Sequence, residues 1–554
     1  MGHLLFFLFV VSACLLWSAA WTAAAARTRR SWTRRLLEAV AVLPPVVVLA
    51  PCVWFTAYLA FAQHMPTNWF GPAFTAFLAA AIGGIWIAWA GLGWRRHAPF
   101  SFADTPVPPA ARWPVVGLAA VFVLAAAVAA GTLLAIDNAV AARAPYLLME
   151  AGQLMQANTP AVVPDAQNAA PLYRRAFAAL DADAAIKAQD SPLSAATTID
   201  LASPTVTDLL ARHAATLELL RRAAARDTCR FERDWTRPSL DMLLPELSSM
   251  RQAARLLVLQ ARRAAADGRV TEALGDVVRI GQIGRHAAGE PILISSLVGL
   301  AIDAMAVDTL AEVLPKLGKS DTAGLGAPEF ADLVALPPAT ASHFYGEEAF
   351  GLSTFADLAD SRLGVVNLPE LVAVNQSPRP FVFRILPLTL LYRVFFLEAD
   401  LAGYRSVMRK YQQLAAGSEP YLDVKKKIDA VEAELRDRSP GLMSSLMMPA
   451  LGAVFRTQAQ AVARHRAAAA VVAATKQRLE TGAIPATAEA LIATLLPPTS
   501  RDPFTADRPL LVKRTDDALL VYSVGPDGED DGGPVAPAEK KPGGNDDVGM
   551  RMKL

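Results

Sequence analysis

The residues best placed to do chemistry in this 554-residue chain are acidic and lie near its end. Asp527, Glu529, Asp530 and Asp531 crowd between Gly525 and Gly532. Asp527, Glu529, Asp531 and Gly532 take the first, third, fifth and sixth places of an EF-hand loop, whose alternating oxygen ligands wrap a calcium ion. The twelfth place is Ala538, with Glu539 one residue late, and the run follows an expected strand rather than a helix. Clustered carboxylates repel unless a cation or water screens them, so a hard, oxygen-rich site is one reading. A solvated acidic loop sliding into a disordered tail is the other.

Other constellations are thinner. His343 and Glu347 have the i, i+4 spacing of a metal pair, but no second His completes an HExxH motif, and a solvated helix face explains them as well. Gly318-Lys319-Ser320 ends like a phosphate loop, yet the glycine required five positions earlier is Val313, so nucleotide binding is excluded. The three cysteines, Cys14, Cys52 and Cys229, form no CxxC pair. There is no GxSxG, and no catalytic residue can be named. Arg230, Arg233, Asp234 and Arg237 around Trp235 read as surface ion pairs beside an anchoring indole.

The elements that must carry these residues begin with a membrane part. Val115–Ile136 is 22 residues without a charge, enough to span a bilayer as a helix. Three apolar runs precede it, over about 4–26, 36–63 and 69–94. Nine of the ten tryptophans lie at or before Trp113, as in interfacial belts. Of 53 basic and 52 acidic residues, eight and two fall up to Ile136, which leaves a mildly acidic remainder of 45 and 50. That balance is no footprint for nucleic acid. The basic residues concentrate in two short loops, Arg27–Arg35 and Arg95–Arg112. Under the positive-inside rule those loops are cytoplasmic and the chain after 136 lies outside. The spans carry no central charge of the kind that pumps and transporters need.

From Ala139 to about Pro498 the apolar spacing is helical, as in Leu210, Ala214, Leu217 and Leu220. Leu256–Gly284 reads as a helical hairpin turning at Asp267-Gly268, with small Ala261, Ala265 and Ala273 for close approach, compatible with solenoid stacking. Ile292–Ile302 reads as a buried helix, and Phe381–Leu397 as core rather than a span because Arg384 and Arg393 interrupt it. After about Arg464 a long helix leads to Gly482-Ala483-Ile484-Pro485, a short helix over Thr487–Leu495, then Asp502-Pro503-Phe504. Strands near Leu510–Lys513 and over Leu519–Ser523 follow, and Val524-Gly525-Pro526-Asp527-Gly528 closes the run.

That order of helix, G-x-x-P, D-P-F, hairpin and Y-S-V-G-x-D-G resembles the globular part of the major pseudopilin of type II secretion systems, over about 80 residues. The resemblance implies a calcium-binding loop after the last strand, onto which Asp527, Asp546 and Asp547 map, with Asp530 and Asp531 between. The cleavable leader and single N-terminal helix of a pseudopilin are missing here, so a polymerising subunit is not implied. The whole chain also resembles envelope proteins of planctomycete-type bacteria.

The expected fold is therefore mainly α. A four-helix transmembrane bundle occupies 1–137 and an extracytoplasmic helical domain 138–460. A small pseudopilin-like α+β unit follows over 461–533, and a disordered tail over 534–554. The expected function is a multi-pass scaffold of the bacterial inner membrane, its partners lipid and other envelope proteins, with residues after 136 in the periplasm. A hydrolase whose site is dispersed in sequence, or a sensor or transport accessory, are the alternatives.

Overall fold

A computed structural model describes residues 135–554, apart from 361–391, 485–500, 535–545 and stretches of one to five residues elsewhere. The four apolar runs of the expected membrane bundle, save Ala135 and Ile136, lie outside the described residues, as does the expected short helix over Thr487–Leu495. The described chain is mainly helical. In order come α1 (Ala144–Asn158), α2 (Ala170–Ala182), α3 (Pro204–Arg212), α4 (Ala214–Ala224), α5 (Pro245–Ala266), α6 (Val270–Ala287) and α7 (Leu293–Val313). Then follow α8 (Pro328–Val334), α9 (Ala341–Asp360), α10 (Leu397–Ala416), α11 (Tyr421–Asp437), α12 (Leu442–Met447) and α13 (Leu451–Thr481). Strands β1 (Leu511–Arg514), β2 (Ala518–Ser523) and β3 (Val548–Lys553) close the chain.

The helices form two compact units. The larger holds 149–351, 408–430 and 450–554, and its centre is the layer α5–α6–α7. The expected hairpin is present. α5 ends at Ala266, α6 starts at Val270, and Ala261, Ala265 and Ala273 are all buried in the shared core. α6 and α7 then cross backbone to backbone, since a Cβ at Gly299 would sit 2.6 Å from the Gly284 carbonyl oxygen. The helical period over Leu210–Leu220 is broken where α3 gives way to α4 at His213, whose buried ring bonds Asp183 at 2.9 Å and Thr216 at 3.3 Å. Ser203 caps α3 by accepting from the Val206 N–H, and Pro204 at the first turn leaves no amide unsatisfied.

α7 continues into a tight turn, and Leu293–Lys316 is the one stretch among the described residues long and apolar enough to cross a membrane. Two thirds of it is buried against α5, α6 and α13, so it acts as a core helix.

The C-terminal strands are antiparallel in the order β1-β2-β3, with Leu519 facing Met552 and Val521 facing Met550. Those four side chains enter the same core as Ala467, Val471 and Ala474 of α13 and the α5–α7 layer. The 461–533 unit expected from the order of its short signals shares one core with the helical layer and belongs to the same compact unit. The expected disordered tail also needs correction. Residues 548–553 form β3, in which Val548, Met550 and Met552 alternate inward. The reach of Pro, Gly and Asp before them hid a period of two.

Asp502-Pro503-Phe504 has a structural reason. The buried Asp502 carboxylate accepts from the Phe504 N–H (2.8 Å), the Ser523 hydroxyl (2.7 Å) and the Val524 N–H (3.3 Å), tying the loop to the end of β2. The Pro503 and Phe504 carbonyls accept from the Tyr421 and Leu422 N–H groups, and Phe504 meets Tyr421 edge to face.

Among the described residues the smaller unit holds 135–148, 352–360, 392–407 and 431–449, apart from the short undescribed stretches. Its anchor is the fully buried Arg393, which donates to the Ala359 carbonyl (2.7 Å) and pairs with Asp137 (2.9 Å). The expectation of Phe381–Leu397 as core can be followed only here, since most of that stretch lies outside the described residues. Buried Asp400 accepts from the Met443 and Ser444 N–H groups, the Ser444 hydroxyl and the Tyr392 hydroxyl, and so caps α12.

Candidate cation site in the C-terminal loop

β2 ends at Ser523 and β3 starts at Val548, so the pairing of Ser523 with Val548 brings the two ends of the acidic segment together. Gly525 makes this possible. Its φ is +74°, and a Cβ there would lie 2.0 Å from the Asp546 carbonyl oxygen. The loop folds back over the outer face of the sheet, with Gly533 against Leu520 and Tyr522.

Asp547 lies at the centre, 5% exposed. Its Oδ2 accepts from the Gly533 N–H at 2.7 Å, while Oδ1 is buried without a hydrogen-bond partner. Burial first, and then the charges of Asp530 and Asp531, push its carboxyl up to about 6. Asp530 accepts from the Tyr522 hydroxyl at 3.0 Å and the Gly532 N–H at 2.9 Å. Burial and that contact raise the Tyr522 phenol. Asp531 accepts from the Asp546 N–H at 2.9 Å, which pins the two strands of the loop.

Asp530 and Asp531 therefore act on Asp547 through their charge, each held by its own hydrogen bonds. The fold does not bring the other two sequence candidates in. Asp527 accepts from the Glu529 N–H at 3.1 Å within its own turn, and the Asp546 side chain is exposed. Among the described residues no group of three or more His, Cys, Asp or Glu side chains stands ready to hold a metal. The orphaned Asp547 oxygen and the all-oxygen donor set fit a hard cation, whose remaining ligands would be carbonyls or water. Tyr522 and the Gly533 amide were missed by sequence reasoning.

The other candidates are structural. His343 and Glu347 do not lie on a solvated face. His343 is buried and donates to the Ala288 carbonyl at 2.8 Å, and Glu347 accepts from the Leu293 N–H, so the pair clamps α9 to the end of α6 and the start of α7. Desolvation lowers the His343 imidazole and raises the Glu347 carboxyl. Arg233 and Trp235 are also buried rather than superficial, with Arg233 paired to Glu246 (2.6 Å) and Glu290 (3.4 Å) and stacked over the indole. Burial raises the Cys229 thiol far above its ordinary value, which makes it inert as a nucleophile. Gly318-Lys319-Ser320 forms a turn closed by Asp321 on the Gly318 N–H.

Elsewhere in the helical layer opposite charges are matched. Arg221 holds Asp276 through two bonds of 2.7 Å and reaches Glu272 at 3.0 Å. His465 of α13 bonds Asp303 of α7. Beside Asp303 a cavity of about 10 Å³, lined by Gly284, Arg285, Ser296 and Gly299, has room for a single water. No protein family, curated protein or solved structure matches this chain.

Proposed function

We propose that this chain is a membrane-anchored scaffold of the bacterial cell envelope, with four spanning helices in residues 1–137 and everything after 136 on the periplasmic side. The observation that carries the reading is the distribution of residues up to Ile136, where long apolar runs alternate with two short arginine-bearing loops. The body that follows supports binding rather than catalysis. Arg221 and His465 are spent on pairs that join helices, Arg233 on pairs that hold its loop, and the Cys229 thiol is held protonated. The pseudopilin-like end is proposed to take calcium on Asp547, Asp530 and Asp531, flanked by Asp527 and Asp546, as a fastening for the loop that links β2 to β3. Its partners are proposed to be other envelope proteins, including secretion components.

Crosslinking in native membranes followed by affinity capture of the full chain tests this. Reproducible crosslinks to defined envelope proteins are expected. A chain recovered without partners, or with a hydrolytic activity that follows it through purification, would contradict the scaffold.

A further inference from the structure

The sheet register decides which side chain of β1 meets the acidic loop. Lys513 pairs with Leu520. Alternation then sets Leu511 and Lys513 on the outer face with Leu520 and Tyr522, opposite Leu519 and Val521 in the core. Gly533 of the loop lies on that outer face, against Leu520 and Tyr522. The Lys513 amine therefore reaches the loop, where it donates to the Gly532 carbonyl at 3.3 Å. Earlier in the loop Arg508 donates in the same way to the Gly528 carbonyl at 3.2 Å. Two cations of the chain thus bracket Glu529, Asp530 and Asp531 through the carbonyls on either side.

The Gly532 carbonyl and the Gly533 N–H belong to one peptide unit, and the described chain contains no cis peptide bond. In a trans unit the carbonyl oxygen and the N–H point to opposite sides. Lys513 therefore holds one side of the unit, and Asp547, whose Oδ2 accepts from that N–H at 2.7 Å, holds the other. An ammonium on the carbonyl polarises the amide and strengthens its N–H as a donor. Bond lengths place the amine no more than about 8 Å from the carboxylate, inside the Debye length of about 10 Å at 0.1 M salt. The positive charge of Lys513 is thus felt where Asp547 keeps its buried Oδ1 without a partner.

We infer that Lys513 is a built-in counter-cation of the acidic loop, which lowers the loop's affinity for a metal cation and so sets the concentration at which the site fills. The inference rests on the proposed cation site and adds the residue that tunes it. Its sign separates it from a structural role. A lysine that only held the loop in shape would, once removed, leave the cation bound more weakly, whereas loss of an opposing charge leaves it bound more tightly. Lys513 is exposed, so its replacement leaves the core untouched.

The test titrates the purified full chain with terbium, which takes oxygen ligands as calcium does and luminesces when a nearby tyrosine is excited. Tyr522, bonded to Asp530 at 3.0 Å, is that tyrosine. Asp547→Asn supplies the background. Lys513→Met is expected to reach half-saturation at about one-fifth of the wild-type terbium concentration, and Lys513→Arg at the wild-type concentration. Half-saturation of Lys513→Met at or above the wild-type concentration, or Lys513→Arg as tight as Lys513→Met, would overturn the inference and leave the cation site standing. Luminescence in wild type and Lys513→Met no stronger than in Asp547→Asn would remove the cation site, and this inference with it.

Discussion

The α5–α7 layer and the C-terminal loop treat buried charge in opposite ways. Against the layer Arg221 of α4 faces the two carboxylates of α6, Asp276 and Glu272, and His465 of α13 hydrogen-bonds Asp303 of α7, so each buried carboxylate has a partner from another helix. In the loop the charges of Asp530 and Asp531 bear on Asp547, which keeps a buried oxygen without a donor. Matched pairs specify which helix packs on which. The loop's surplus negative charge does nothing for packing, and it is where protons or cations can alter stability.

Removing half of a matched pair should have the largest effect. Arg221→Ala leaves Asp276, nearly inaccessible to water, without its partner, and should cost about 3 kcal/mol in urea unfolding of the purified chain. A cost below about 1 kcal/mol would mean that the pair is solvated, and the contrast with the loop would fail. Close behind comes the α6–α7 crossing. Gly299→Ala places a methyl against the Gly284 carbonyl and should destabilise by about 2 kcal/mol in the same measurement.

The loop should show itself through pH. The folded-state value of Asp547, about 6, lies above the ordinary 3.8, so its contribution is complete below 3.8 and lost as pH rises through 6. Wild type should therefore lose about 2 kcal/mol relative to Asp547→Asn between pH 4 and pH 7.5. Taking the difference between the two proteins cancels the similarly raised Asp276, Glu290 and Glu347. Calcium at about millimolar concentration should restore wild type at pH 7.5 and leave Asp547→Asn unmoved. The smallest effect is expected at the loop's rim. Asp527→Ala should change calcium-free stability by less than about 0.5 kcal/mol while weakening the calcium-dependent rise in Tm.

What was legible in the sequence followed period and punctuation. The α5–α6 hairpin could be read because Asp267-Gly268 separates two long helical periods, and β1 and β2 because Thr515-Asp516-Asp517 separates two short runs. The break at His213 was invisible, since the apolar spacing passes through it and only a tertiary bond to Asp183 fixes it. β3 was lost because its six residues follow a long stretch of turn-forming composition and find their partner 25 or more residues earlier. At the site the sequence named Asp527, Asp530, Asp531, Asp546 and Asp547 alike, and only the pairing of β2 with β3 shows that Asp547 is the buried one. Burial of His343, Glu347 and Arg233 was equally unreadable, because a polar side chain's environment is set by the helices packed on it.

The most direct test of the account is topological. Alkaline phosphatase fused after Gln153 and after Pro106 of the full membrane part should be active at the first site and inactive at the second. The reverse pattern, or inactivity at both with the fusions present in the membrane, would contradict an extracytoplasmic body carried on four spanning helices.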